Sequence, residues 1–360
     1  MPVNFAAVPA TRLRLVASSL WCVAFVTWLV FDGLTFDRTT LVFWVVTGLV
    51  AFTLGTRPWW QAPLDWTPFI AFFFAYDYTR GVASTLGMPT HWELPARIDR
   101  MLGFGQVPTV WLQEHLAEPS DRVPWWEFFT GVTYVSFFII PLVLGGVLWL
   151  RSRADFAKYM ARFGLISAIA LMGYVLVPAA PPWAAARCTH AEVVDHPSNP
   201  ACMYDSTPKH PGETILDPLT SPHEGFSPIV KRISARGWFE VPGLHMTSGF
   251  MKSGINASNR VAAIPSLHAA MSLFIAIFLW PRVRRRWRPL LAVYPMAMAF
   301  TLVYGGDHYV VDILLGWLVV VVALRLVGRI ESRTESRRIS ERMSRPGGRG
   351  MQVSRKVRTP

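Results

Sequence analysis

Two short stretches of this sequence bring imidazole, hydroxyl and carboxylate groups to the start of an apolar run. The first is Ala262-Ala263-Ile264-Pro265-Ser266-Leu267-His268-Ala269-Ala270, and the second is Tyr304-Gly305-Gly306-Asp307-His308-Tyr309-Val310-Val311-Asp312. Pro265 suits the first turn of a helix, where its missing N–H costs nothing. Ser266 and the amides after it then sit at a helix N-terminus, which favours an anion. In the second stretch Gly305-Gly306 reads as a tight turn and Asp307 as the cap of the next helix. His308 and Asp312 are four residues apart and share a face. A carboxylate one turn along can hold one ring N–H and leave the other nitrogen free as nucleophile or base. Either stretch alone is commonly structural. Together, each opening an apolar run, they describe a site for an anion between two histidines. A metal held by His268, His308 and Asp312 is a weaker reading, because nothing else nearby completes a ligand set.

The elements that must position these groups are membrane spans. Of 360 residues, 52% are apolar and only 16% charged, against about 25% charged in soluble domains. Apolar residues cluster in eight blocks, roughly 14–31, 40–55, 64–79, 126–150, 161–178, 262–280, 289–305 and 308–327. The expected fold is an all-α polytopic membrane helix bundle of about eight spans, with interfacial helices and an extracytoplasmic cap. Residues 1–63 read as an N-terminal two-span hairpin, 64–327 as a six-span core, and 328–360 as a basic, disordered tail. That tail holds ten Lys or Arg and three Asp or Glu, so it supplies most of the net charge of +12. The charge therefore suits a cytoplasmic tail beside anionic lipid better than a nucleic-acid partner. With the N-terminus cytoplasmic, Arg57, Arg151, Arg153, Lys158 and Arg282 to Arg288 also fall inside. Both histidine stretches then open on the outer face of the cell membrane. A proton-relay transporter is disfavoured, since its ionisable groups should continue across the bilayer.

Two longer outer segments remain. Residues 80–125 mix apolar and charged side chains, as interfacial helices do. Residues 179–261 are too long for a plain loop and read as a cap over the outer face. They contain Cys188 and Cys202, which an oxidising exterior permits to bridge; the alternative is two free thiols.

Pro-Ser-Leu-His followed about forty residues later by His-x-x-x-Asp resembles the type 2 phosphatidic acid phosphatase superfamily. The stretches Ala-Ala-Ile-Pro-Ser-Leu-His-Ala-Ala and His-Tyr-Val-Val-Asp-Ile-Leu-Leu-Gly look closest to its inositol phosphorylceramide synthase-like branch. The resemblance covers about 64–327 and implies that His308 attacks phosphorus, Asp312 orients it, and His268 protonates the leaving group. It implies no metal and no cofactor. The sequence departs from that pattern in two places. Leu302 stands where the superfamily has an Arg six residues before the nucleophile, and the Lys-x6-Arg-Pro motif is missing. Another cation must balance the phosphate. Arg80 is the first candidate, with Ser266, Arg260 and Lys252 as further phosphate contacts, Arg236 as a weaker one, and Asp77 as a headgroup contact. The expected function is transfer of a phosphoinositol-like headgroup between lipid-linked substrates in the membrane. The alternative is a phosphatase for phosphatidate or a polyprenyl (di)phosphate.

Overall fold

The computed structural model describes residues 10–31, 38–119, 122–205, 213–221, 223–226, 228–239, 261 and 263–344. Among them there are twelve α-helices and no named strand. In chain order these are α1 (Ala10–Phe31), α2 (Arg38–Thr53), α3 (Gln61–Thr85), α4 (Leu94–Leu102), α5 (Pro108–Leu116) and α6 (Glu127–Arg151). They continue as α7 (Arg153–Leu176), α8 (Pro182–Ala185), α9 (Arg236–Phe239), α10 (Leu267–Leu279), α11 (Arg288–Tyr304) and α12 (Val310–Ser344). The protein is an all-α membrane helix bundle.

Each of the eight apolar blocks is occupied by a helix. Among the described residues four segments are long and apolar enough to cross a membrane: Thr11–Phe31, Glu127–Arg151, Arg153–Leu176 and Val310–Thr334. Val42–Thr53 and Leu267–Leu279 are apolar but shorter. The last helix runs on to Ser344, well past the expected end of order at 327. The extension holds strong helix formers, with no Gly or Pro between Gly328 and Pro346. Arg162 of α7 also grips Glu331 through both guanidinium nitrogens, at 3.1 and 2.8 Å.

Inside the bundle α3 lies along α7, with Phe69 stacked on Phe163 at 4.5 Å. Tyr159 of α7 stacks on Phe274 of α10 at 5.4 Å. Arg153 pairs with Asp65 at 2.7 Å and Arg282 with Asp155 at 2.8 Å. The basic connections at 151–155 and 281–288 thus meet at one end of the bundle, and α10 and α12 begin at the other.

A second core lies over those helix starts. Trp92, Trp183, Met203, Leu216, Ile233, Tyr304 and Tyr309 are buried there together. Cys188 and Cys202 are joined within it, Cα to Cα 5.1 Å. Its most demanding contact is between residues 231–234 and the turn before α12. A Cβ on Gly306, where φ is +75°, would stand 2.7 Å from the Lys231 carbonyl oxygen, and one on Gly305 would stand 1.7 Å from Ser234 Oγ. The glycine pair is needed because the cap is pressed onto the turn. Gln113 of α5, fully buried, pins the contact. Its Nε2 donates to the Lys231 and Tyr304 carbonyls at 2.7 and 2.8 Å, and its Oε1 accepts the Lys231 amide at 2.9 Å.

Gly306→Ala should therefore lower the thermal midpoint in detergent. Strain alone contributes about 1–2 kcal/mol, and the contact adds to it. Gly164→Ala on α7, where a new Cβ meets nothing within 4 Å, should leave the midpoint unchanged or slightly raised.

Candidate active site

Ser266 is the N-cap of α10, and its hydroxyl accepts the Ala269 amide at 3.3 Å. The Ser266 amide donates to the Asp312 carbonyl at 3.0 Å, which ties the two histidine stretches together. Capping uses a lone pair of Oγ, so its proton can still be donated. Pro265 stands just outside the helix, after a cis peptide, with its ring against Gly173 of α7. The expected place in the first turn belongs to Leu267, because Ser266 takes the cap.

His268 projects from the first turn of α10 into an aromatic box. Phe137 lies 3.9 Å away, Tyr134 stacks on it at 5.2 Å, and Phe138 meets it edge-on at 5.8 Å. All three come from one face of α6. Its Nε2 is buried and has no hydrogen-bond partner among the described residues. The ring of His308 is 5.9 Å from that of His268, centre to centre. His308 Nδ1 faces Asp312 Oδ2 at 3.4 Å, and Asp312 Oδ2 accepts the Tyr309 amide at 2.8 Å. The imidazole–carboxylate contact is long for a hydrogen bond, and such contacts commonly tighten when substrate binds. Among the described residues no three His, Cys, Asp or Glu side chains converge to hold a metal.

Asp307 is not the cap of α12. Its Oδ1 receives Arg232 Nε at 2.5 Å, and its other oxygen accepts the Ser234 hydroxyl. The cap comes from α4. Asp99, fully buried, accepts the Val310 and Val311 amides at 2.8 and 2.9 Å. A carboxylate suits that position because the helix dipole is positive there. Asp307 is instead held by a cation, as a buried carboxylate requires.

That cation was not among the expected phosphate contacts. Arg232 reaches Asp307 on one side and the Tyr134 hydroxyl, at 3.4 Å, on the other. Asp307 precedes His308, and Tyr134 stacks on His268, so the guanidinium is bonded to a neighbour of each imidazole. Its side chain keeps 23% of its surface exposed. Arg236, the weaker expectation, is tied down by Glu127, which it grips with two nitrogens, and by the Glu118 carbonyl. Tyr304 adds its hydroxyl to Glu127 at 2.5 Å. Removing one partner of such a pair costs about 3–5 kcal/mol, and Arg236 is a strut between the cap and α6. Lys252 and Arg260 lie outside the described residues. Arg80 and Asp77 fall within α3, at positions whose side chains are outside the description. Arg57 donates to the Trp149 carbonyl at 2.8 Å, near the far end of α6 and about 33 Å along that helix from Glu127. Leu302 is fully buried among Met298, Val303 and Ile313, and its carbonyl accepts the Asp307 and His308 amides at 3.0 and 3.2 Å.

A family model described as "PAP2 superfamily" matches residues 96–326. The chain belongs to the PAP2 superfamily. The matched range runs from α4, which supplies Asp99, through the cap to α12. The chain is also 26% identical over 196 residues to a phosphoinositol dihydroceramide synthase of Bacteroides thetaiotaomicron, covering 53% of this chain. It spans about half of that relative, 52% of its length. No solved structure matches the chain.

Burial raises the Asp99 carboxyl from 3.8 to about 6, with the charge of Asp312 adding to it, against the pull of the two amides. Between those values the folded state binds more proton than the unfolded, so this group's contribution to stability is largest below pH 4 and falls as pH rises through 6. Asp99→Asn abolishes the titration. The stability of wild type relative to this variant should fall between pH 4 and pH 7, as read by thermal melting in detergent.

Proposed function

We propose that the protein is a metal-independent histidine phosphotransferase that moves a phosphoinositol-like headgroup from a donor lipid to the hydroxyl of an acceptor lipid. The observation that carries this reading is the pair of imidazoles 5.9 Å apart with the Arg232 guanidinium between their neighbours. Membership of the superfamily supports chemistry on lipid phosphates, and the name of the Bacteroides relative supports phosphoinositol transfer over simple hydrolysis.

Arg232 holds a non-bridging phosphate oxygen, aided by the Ser266 hydroxyl and, on the resemblance, by Arg80. His308, with Nδ1 facing Asp312, attacks phosphorus through Nε2, in line with the bond to the donor's alcohol. That bond breaks as His268, protonated, gives its proton to the departing oxygen. A covalent phosphohistidine remains, carrying the headgroup. The acceptor hydroxyl then loses its proton to His268 and attacks phosphorus, and the P–N bond breaks to return His308. The aromatic box keeps water from the second step and orients His268.

The same reading places the site on the outer face of the cell membrane with both termini cytoplasmic, because the short basic connections lie at the opposite end of the bundle. Donor and acceptor then enter sideways from the outer leaflet.

Purified protein given phosphatidylinositol and a ceramide-type alcohol should make the transferred lipid only when both are present. Steady phosphate or inositol phosphate release without an acceptor would contradict transfer. The rate should be bell-shaped in pH, since one imidazole must be neutral and the other protonated. Arg232→Ala should cut kcat/KM by about 10²–10³-fold, the range for loss of one charge-stabilising donor, with Arg232→Lys recovering part of it. Full activity in Arg232→Ala would return the phosphate role to Arg80.

A further inference from the structure

The cap carries more positive charge than one phosphate needs. Arg187 and Arg232 stand over the same indole, with Cζ 5.6 and 5.9 Å from the Trp183 ring. The Trp183 amide donates to the Gly306 carbonyl at 3.1 Å, so the Trp183 backbone is anchored to a residue two before His308. Lys231 precedes Arg232, and its backbone is held on both sides by Gln113. The Lys231 ammonium lies 5.3 Å from the Phe226 ring and makes no ion pair among the described residues.

The cations differ in what already occupies them. Arg236 is committed to Glu127, and Arg232 shares Asp307. Arg187 donates to a neutral carbonyl, that of Met203, at 2.9 Å. Partial burial, then Arg236 and Arg187, hold the Lys231 ammonium below its usual range. Burial likewise lowers Arg187, against the attraction of Asp205. Like charges kept together in partly dry surroundings are unfavourable until an anion joins them.

Resting on the function proposed above, we infer that Trp183, Arg187 and Lys231 form a subsite for a second phosphate of the substrate, beside the one that His308 attacks. Two lipid chemistries present such a group: a headgroup phosphorylated on its polyol, and a diphosphate whose outer phosphate lies beyond the reacting one. Lys231 supplies a mobile point charge at the exposed edge, and Arg187 a fixed fork against the indole. The step at His308 is unchanged; the subsite selects which lipid is presented to it.

The test is equilibrium binding to the full chain carrying His308→Ala, so that nothing turns over. Calorimetry in detergent compares inositol 1-phosphate with inositol 1,4-bisphosphate, and geranylgeranyl phosphate with geranylgeranyl diphosphate. In at least one pair the extra phosphate should tighten binding about tenfold, with a steep fall in added salt. Adding Arg187→Gln and Lys231→Gln should bring that ratio to about one and leave the monophosphate affinity in place. Lys231→Gln alone, at an exposed position, is the milder variant and should lower the ratio about threefold. A preference in the first pair assigns the phosphate to the headgroup, and one in the second assigns it to a diphosphate. A ratio of one in both pairs, no binding of any probe, or a ratio that survives both substitutions would overturn the subsite. Transfer activity is read separately. A working transferase with a ratio of one loses only the subsite, and an inactive protein that keeps the ratio loses only the proposed reaction.

Discussion

The arrangement depends on one contact: the cap segment of residues 231–234 laid against the Gly305-Gly306 turn. That contact brings Arg232 onto Asp307 and Ser234 onto the same carboxylate, immediately before His308. Without it Asp307 would be a buried anion with no cation beside it, and the turn would have no reason to exclude side chains. Several features follow from it. Gln113 holds the segment by its backbone, Glu127 and Arg236 brace its far end against α6, and Cys188 and Cys202 are bridged within the cap. The start of α12 is gripped by Asp99 of α4. His308 therefore sits between the cap, which supplies a cation to Asp307, and α4, which supplies a carboxylate to the amides of α12.

The first turn of α10 presents His268 and the turn before α12 presents His308, and the bond from the Ser266 amide to the Asp312 carbonyl ties the two stretches together. Three aromatic side chains of α6 then fix the plane of one imidazole, while the i, i+4 carboxylate faces a nitrogen of the other.

Much of this was legible in the chain because it is local. Apolar block length gave the helices, the Pro-Ser-x-His and His-x-x-x-Asp spacings gave the helix starts, and the length of 179–261 required a folded segment. The parts that were not legible are set by partners far apart in sequence. Asp99 caps a helix 211 residues later, and nothing in Ile98-Asp99-Arg100 marks it for that task. Arg232 lies in an irregular stretch with no periodicity to say which way it points. One signal was available: with Leu302 in place of an arginine and Asp307 beside His308, two charge problems ask for a single cation. The expectation put Arg80 first and Arg236 only as a weaker choice; Arg236 lies four residues after Arg232 and is claimed by the buried Glu127. The continuation of α12 to Ser344 was obscured by composition, since charged residues in helical order resemble a disordered tail until their pairing is seen.

The central claim is that a nitrogen of His308 becomes covalently bonded to phosphorus. Its most direct measurement is to mix the protein with a donor lipid labelled at phosphorus, omit the acceptor, quench in alkali and map the labelled peptide by mass spectrometry. The account predicts label on the peptide containing His308, lost on adding the acceptor alcohol and absent from His308→Ala. Label on any other residue, or labelled product formed at full rate by the His308→Ala protein, would contradict it.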